Sequence, residues 1–104
     1  MLVSNDAGIG KVYIDMASVK PDAEGRIAIR KHLFEKPRED GAIGVMTETV
    51  FRCESKELRE TTKTWFRANG SVAETGQSYS ARWISTESSP DRTKMLDMVC
   101  AKKL

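Results

Sequence analysis

Two cysteines and one histidine are the residues of this 104-residue chain that could take part in covalent, metal or acid–base chemistry. Cys53 ends a β-like run, and Cys100 lies in a C-terminal segment with helical spacing. The pair shows neither a CxxC motif nor the Cys/His spacing of a metal site, so one disulfide that joins the helix to the sheet is the favoured interpretation. Because such a bridge persists in an oxidising compartment, it predicts a location outside the cytosol.

His32 is the residue that a Cys–His or Ser–His catalytic site would require. The sequence shows neither a nucleophile elbow nor an orienting acid to accompany it, so an ordinary solvated histidine is the favoured interpretation. A metal site needs three or four converging ligands, and a phosphate cradle needs a glycine-rich loop before a helix; neither pattern is present. The sequence therefore predicts a protein without enzymatic activity, metal or cofactor.

A set of basic residues with an aromatic residue between them is the candidate ligand-binding feature. Arg59, Lys63 and Arg67 recur along a predicted strand at a spacing that puts them on one face, and Trp65 lies between the last two. A cationic strip of this kind would grip an acidic or sulfated polymer, or an acidic patch of a protein. The competing interpretation is an ordinary solvated sheet face, in which the basic side chains shield Trp65.

The elements that must position these residues are extended segments followed by one helix. Strand patterns occupy residues 11–15, 26–34, 45–54, 58–67, 71–75 and 79–84. In the second of these, Ile27, Ile29 and Leu33 lie on one face, while Arg30 and His32 lie on the other. This alternation is typical of a half-buried strand.

Turn and helix signals complete the pattern. Asn69-Gly70 predicts a hairpin with a type I′ turn, since both of its central residues need positive φ. Ser89 is a natural N-cap with Pro90 in the first helical position, and Lys102 and Lys103 suit the negative end of the helix dipole. An apolar stripe then has to cover the sheet, with Trp83 expected in the core beneath it. The stripe consists of Met95, Leu96, Val99 and Cys100.

Composition sets the fold class. A hydrophobic fraction of 39% with 31% charged residues is typical of a globular protein, and the length suits one domain. We expect this domain at residues 11–104, after a flexible leader at residues 1–10. A net charge of +2 is too small to imply a nucleic-acid partner, and no apolar run reaches the roughly 18 residues of a membrane span. The predicted class is α+β, a small antiparallel sheet of about five to six strands packed by one C-terminal, disulfide-tethered helix.

Several short motifs follow one another between Val12 and Cys100. They are Val12-Tyr13-Ile14-Asp15 with Ser18-Val19, a strand that ends at Cys53, Trp83-Ile84, Ser88-Ser89-Pro90, and Leu96-x-x-Val99-Cys100. Their order resembles the bacterial surface-adhesin protein E family. The resemblance implies a small antiparallel sheet with a disulfide-tethered C-terminal helix. It also implies export from a Gram-negative bacterium, binding of host proteins such as vitronectin, laminin or plasminogen, and the option of a homodimer.

These observations together predict an exported binding or surface-interaction module with a protein ligand, located in the periplasm, at the outer-membrane surface or outside the cell. Residues 1–8 show no signal-peptide pattern and no lipid-acceptor cysteine, so a mature, processed form is expected. The alternative is a periplasmic protein of the small-enzyme or inhibitor type with no host ligand. A concave pocket around His32 with a second titratable group would favour that alternative.

Overall fold

Seven antiparallel strands and one helix make up the computed structural model, which describes residues 2–6, 10–77, 82–87 and 89–104. The elements are β1 (Leu2–Asp6), β2 (Gly10–Asp22), β3 (Gly25–Phe34), β4 (Ala42–Arg52), β5 (Glu57–Arg67), β6 (Val72–Gln77), β7 (Ile84–Ser85) and α1 (Pro90–Ala101). Strands β1 to β6 pair in chain order as a meander, and β7 pairs with the first residues of β5. The predicted α+β class, with an antiparallel sheet and one C-terminal helix, is confirmed.

The sheet begins earlier in the chain, and β2 is longer, than the sequence patterns indicated. β1 lies within the segment expected to be a flexible leader; it pairs with β2, and its Val3 is buried. β2 continues past Asp15 to Asp22, with an irregularity in its pairing between Asp15 and Lys20. The first half of the last predicted strand, residues 79–84, lies outside the described residues; Ile84 and Ser85 form β7.

A local hydrogen-bond network shapes the irregularity in β2. The Asp15 carboxylate accepts a bond from the Ala17 amide at 3.1 Å. The Ser18 hydroxyl donates to the Asp15 carbonyl at 2.6 Å and accepts from the Ile29 amide of β3 at 2.8 Å. The Ser18 hydroxyl takes the place of a backbone carbonyl as the acceptor for the Ile29 amide. Strand β2 can therefore bulge here without leaving that amide unsatisfied.

The N-cap of helix α1 and its disulfide to the sheet are those that the sequence indicates. Ser89 is its N-cap, and the Ser89 hydroxyl accepts a bond from the Arg92 amide at 3.4 Å. Cys53 follows the end of β4, and its disulfide to Cys100 joins Cα atoms 5.9 Å apart. The predicted bridge is therefore confirmed. It ties the last turn of α1 to the sheet.

The apolar side of α1 covers one side of the sheet, which we call the helix face. Met95, Leu96 and Val99 are buried there, as predicted, in one cluster with residues of the sheet. The sheet residues of that cluster are Val3, Ile14, Val19, Ala28, Phe51 and Leu58. This cluster is the core, and it removes the apolar stripe of the helix from water.

The opposite side of the sheet, which we call the open face, carries the alternate residues of the same strands. On β3, Ala28 points to the helix face, so that Ile27, Ile29 and Leu33 point to the open face. In the part of the chain that the structure describes, no helix and no second sheet packs on this side. The helix therefore packs on the face of β3 that carries Ala28. The face that carries the two isoleucines is left uncovered.

The hairpin at Asn69-Gly70 forms, but with a different turn from the predicted type I′. Gly70 has a φ of 85°, whereas Asn69 is not among the described residues with positive φ. The Gly70 amide donates to the Arg67 carbonyl at 2.9 Å, and the Arg67 amide donates to the Ser71 carbonyl at 2.9 Å. This is a type I turn followed by a glycine bulge, in which only one residue has to be left-handed. The hairpin prediction is confirmed, and its turn type was wrong.

Candidate functional site

A bulge in β5 divides the predicted basic strip between the two faces of the sheet. Thr49 of β4 pairs with Glu60, but Thr47 pairs with Lys63, so β5 contains one extra residue between these pairs. Since an extra residue reverses the face to which the following side chains point, Arg59 lies on the open face and Lys63 on the helix face. The prediction that the three basic residues share a face was therefore wrong. Their role in ligand binding stays a prediction.

Arg59 belongs to a cluster on the open face that we call the Arg–Trp cluster, made of Arg52, Arg59, Trp83 and Glu24. The guanidinium carbon of Arg52 lies 3.7 Å from the centre of the Trp83 ring, and that of Arg59 lies 5.0 Å from it. Glu24 accepts from Arg59 at 2.6 Å and from Arg52 at 3.5 Å. Trp83 is half-buried and is not part of the core beneath the helix, so that expectation was wrong. Its ring holds two guanidinium groups in place at the surface.

An open cleft adjoins the Arg–Trp cluster. It has a volume of about 420 Å³, and Arg52, Glu24 and Cys53 are among the residues that line it. Arg26 also lines the cleft, but its guanidinium donates to the carbonyls of Val99 at 2.8 Å and Lys102 at 2.5 Å. Arg52 is therefore the cation of the cleft whose side chain remains accessible, with 39% of its surface exposed.

Lys63 is held in a half-buried ion network on the helix face. Its ammonium lies 3.0 Å from the Glu60 carboxylate, and the Arg30 guanidinium lies 3.2 Å from the same carboxylate. Burial by itself would raise the pKa of Glu60, but the attraction of Arg30 and the hydrogen bond from Lys63 outweigh it and lower that pKa. Lys63 therefore already has an internal carboxylate partner.

Trp65 lies close to the turn between β3 and β4. The Arg38 guanidinium carbon is 5.1 Å from the centre of its ring, and Arg38 also pairs with Asp40 and, at 2.9 Å, with Glu74. The hydrogen bond from Arg38 and the one from the Ala42 amide lower the pKa of Asp40 to about 2. The cation beside Trp65 is thus balanced by two carboxylates.

Arg67 joins two turns of identical construction at one end of the sheet. The turns are Arg38-Glu39-Asp40-Gly41 and Arg67-Ala68-Asn69-Gly70. In each turn the glycine amide donates to the arginine carbonyl at 2.9 Å. The Asp40 side chain of the first turn accepts from the Ala42 amide at 3.0 Å, and the Asn69 side chain of the second accepts from the Ser71 amide at 2.9 Å. Arg67 donates to the Asp40 carbonyl at 2.9 Å and to the Val72 carbonyl at 3.1 Å. The repeated Arg-x-Asp/Asn-Gly pattern was the sequence signal for this pairing.

His32 lies on β3 as a half-buried residue and contacts Phe34 edge-to-face, with 5.2 Å between the ring centres. Within the described ranges, no group of three or more histidine, cysteine, aspartate or glutamate residues is arranged to hold a metal ion. No described helix is long and apolar enough to cross a membrane. The candidate binding residues are therefore the charged and aromatic side chains of the strands and turns described above.

A family model described as surface-adhesin protein E matches residues 1–101. The chain belongs to the surface-adhesin protein E family. The resemblance that the motif order indicated is confirmed. No curated protein and no solved structure matches the chain. Membership in surface-adhesin protein E indicates a surface-adhesin role, and with it a binding function at an extracellular or surface location.

Five of the residues that carry the surface-adhesin protein E motifs have structural roles here. Asp15 and Ser18 build the bulge of β2, Cys53 and Cys100 form the disulfide, and Ser89 caps α1. None of the five belongs to the Arg–Trp cluster. Trp83 of the Trp83-Ile84 motif, by contrast, is the aromatic residue of that cluster. These five motif residues therefore serve the scaffold, and Trp83 lies at the candidate site.

Proposed function

We propose that this chain is an exported surface-interaction module of a Gram-negative bacterium and that its ligand is a host matrix or plasma protein, such as vitronectin, laminin or plasminogen. Family membership supports the adhesin role. The Arg–Trp cluster is the observation that carries the choice of surface, because arginine and tryptophan dominate the binding energy of protein interfaces. The proposed mechanism is binding without catalysis.

The Arg–Trp cluster suits an acidic patch on the ligand. Glu24 and Trp83 fix the two guanidinium groups, so little side-chain entropy remains to be lost when a ligand carboxylate binds. Arg59 still exposes 23% of its side chain and Arg52 exposes 39%. Charge-assisted bonds from a fixed guanidinium to a carboxylate are short and strong.

Lys63 and Arg67 of the predicted basic strip are expected to contribute less to ligand binding. Lys63 already pairs with Glu60, and Arg67 donates to backbone carbonyls of two turns. A ligand carboxylate would have to compete with these internal acceptors. We therefore assign the first contact to Arg59 and Arg52, with Lys63, Trp65 and Arg67 as the second, weaker surface.

Surface plasmon resonance on immobilised vitronectin, laminin and plasminogen tests the proposal. The double variant R52S/R59S should lower affinity for the bound ligand about tenfold or more, and K63S/R67S should change it about twofold or less. Binding should also weaken as salt rises, because exposed charges are screened beyond about 8 Å at physiological salt. A thermal melt of each variant checks that the fold is retained.

Two outcomes would contradict the proposal. Absence of binding to all three proteins by the intact chain would remove the proposed ligands. A larger loss for K63S/R67S than for R52S/R59S would place the site on the helix-face side of β5 and its neighbouring turn. The exposed helix residue Lys94 offers a matched control, because K94S removes a cation that belongs to neither surface.

A further inference from the structure

The open face carries a concentration of exposed apolar side chains. Of the four large hydrophobic residues exposed in the described part of the chain, Met46 points to the open face, and Leu2 and Val72 pair with its residues Tyr13 and Phe66. A shallow groove of about 410 Å³ runs over this face. The side chains that project into it are those of Tyr13, Asp15, Ile29, Lys31, Leu33 and Met46. Contiguous apolar surface of this kind marks interaction sites.

Gly44 and Phe66 extend the apolar surface across the sheet. A side chain at Gly44 would meet the Phe66 ring at 2.8 Å, so the ring lies directly over the backbone of β4. Lys31 lies above the same ring, with its ammonium 5.3 Å from the ring centre. The apolar surface thus reaches from Tyr13 on β2 to Phe66 on β5, with one cation in its middle.

Two neighbouring rows of residues on the open face carry charges beside the groove. Lys31 lies in the row Tyr13–Lys31–Met46, and the neighbouring row is Asp15–Ile29–Glu48. Lys31, Asp15 and Glu48 take part in none of the ion pairs formed among the described residues. One side of the groove is therefore basic and the other acidic. None of the three charges has an ion-pair partner among the described residues, although the Asp15 carboxylate accepts a bond from the Ala17 amide.

We propose that the open face docks one amphipathic helix of a partner protein. The apolar stripe of that helix would run between the two rows and cover Tyr13, Ile29 and Met46. An acidic side chain on one flank would pair with Lys31, and a basic side chain on the other flank would pair with Asp15 and Glu48. The sheet would then be covered by a helix on each face.

The dimensions of the face fit this occupant. From β2 to β5 the face spans three inter-strand gaps of about 4.8 Å, about 14 Å in all. A helix that crosses the strands covers this distance with about ten residues, at 1.5 Å each. The two charged rows are about 7 Å apart along the strands, which is less than the diameter of about 10 Å of a helix with its side chains. One helix therefore reaches both rows.

Two synthetic helical peptides of about 14 residues provide the test. Both carry a leucine stripe; the first has glutamate on one flank and lysine on the other, and the second has glutamate on both flanks. Fluorescence anisotropy should show that the intact chain binds the first peptide more tightly, because the second lacks the cation for Asp15 and Glu48. K31E should weaken binding of the first peptide about tenfold or more. The double variant D15N/E48Q should remove the preference between the peptides.

A second variant separates packing from charge. Met46 is 38% exposed, so M46S should leave the thermal midpoint nearly unchanged and yet weaken binding of the first peptide. K94E, a charge reversal on the exposed side of α1, should change neither affinity. Chemical-shift changes on peptide binding should appear at Tyr13, Ile29 and Met46 and not at Met95.

The proposal is overturned if neither peptide binds at about 1 mM, the weakest affinity of interest. Equal affinity for both peptides, unchanged in K31E, would also overturn it. If the chain instead self-associates and M46S abolishes that association, a second copy covers the open face and no partner helix does. Lys31 and Met46 lie outside the Arg–Trp cluster, so failure of this proposal leaves the proposed host ligand untouched, and the reverse holds.

Discussion

Arg26 shows how a single side chain on the sheet completes the helix. The helix has no basic residue in its last turn, although Lys102 and Lys103 were expected to serve the negative end of its dipole. Arg26 donates to the carbonyls of Val99 and Lys102, while Lys102 donates instead to the Met16 carbonyl. The sequence could not indicate this, because Arg26 lies more than 70 positions away from its acceptors.

We expect R26A to destabilise the fold by about 2 kcal/mol, since it leaves two part-buried carbonyls without their charged donor. Urea unfolding followed by circular dichroism measures this loss. K103A, at an exposed position beyond the end of the helix, is the matched control and should stay within about 0.5 kcal/mol. Equal losses in the two variants would show that Arg26 does not cap the helix.

Glu60 gives a pH dependence with a defined sign. Its pKa is lower in the folded chain than the ordinary glutamate value of about 4.3, so its ionised form stabilises the fold above that pH. The stabilisation is lost as the pH falls through the lowered pKa. E60Q should therefore be less stable than the natural chain at pH 7, and the difference should shrink at acidic pH, where Glu60 is protonated and resembles glutamine. Urea unfolding at a series of pH values measures it, and a difference that stays constant would contradict the assignment.

At the scale of elements, the sequence predicts the strands better than the faces they present. The strand at β3 and the N-cap of α1 are local, so they appear in the sequence and are confirmed by the structure. The bulge of β5 lies among Glu60, Thr61 and Thr62, none of which is a glycine or another residue that marks a bulge. For this reason Lys63 and Trp65 lie on the other face of the sheet from Arg59. Which face of β3 is buried likewise depends on where α1 packs, and the local sequence of β3 does not determine that.

Gly44 of β4 lies in close contact with residues of β3 and β5. A side chain there would lie 2.5 Å from the His32 carbonyl oxygen and 2.8 Å from the Phe66 ring, so the β3–β4 pairing would have to shift. We expect G44A to cost about 2 kcal/mol, a typical penalty for overpacking, and to lower the thermal midpoint accordingly. G76A, where the nearest atom of the Trp65 ring is 3.7 Å away, is the control and should cost less than about 0.5 kcal/mol. If the two variants melt together, Gly44 has no packing role.

At the scale of the whole molecule, the core and the proposed recognition surfaces lie on different sides of the sheet. The helix, the core cluster and the disulfide lie on the helix face or at its edge, and they supply most of the buried apolar contacts. The Arg–Trp cluster and the exposed apolar groove lie on the other side. Stability and recognition can therefore be changed separately by substitution, provided that the strands themselves keep their register.

The Cys53–Cys100 bridge tests this separation directly. It closes a loop with a sequence separation of 47 residues. Loop-closure entropy for a loop of this size corresponds to about 4 kcal/mol, so C53S/C100S should lower the free energy of unfolding by up to about that amount. At a temperature where the variant is still folded, its affinity for the peptide probe should stay within about twofold of the natural chain, because the residues that line the groove on the open face include neither cysteine. Thiol titration of the denatured, unreduced natural chain should find no free thiol. A variant that remains folded but loses binding in proportion to its loss of stability would show that the helix face and the open face are coupled.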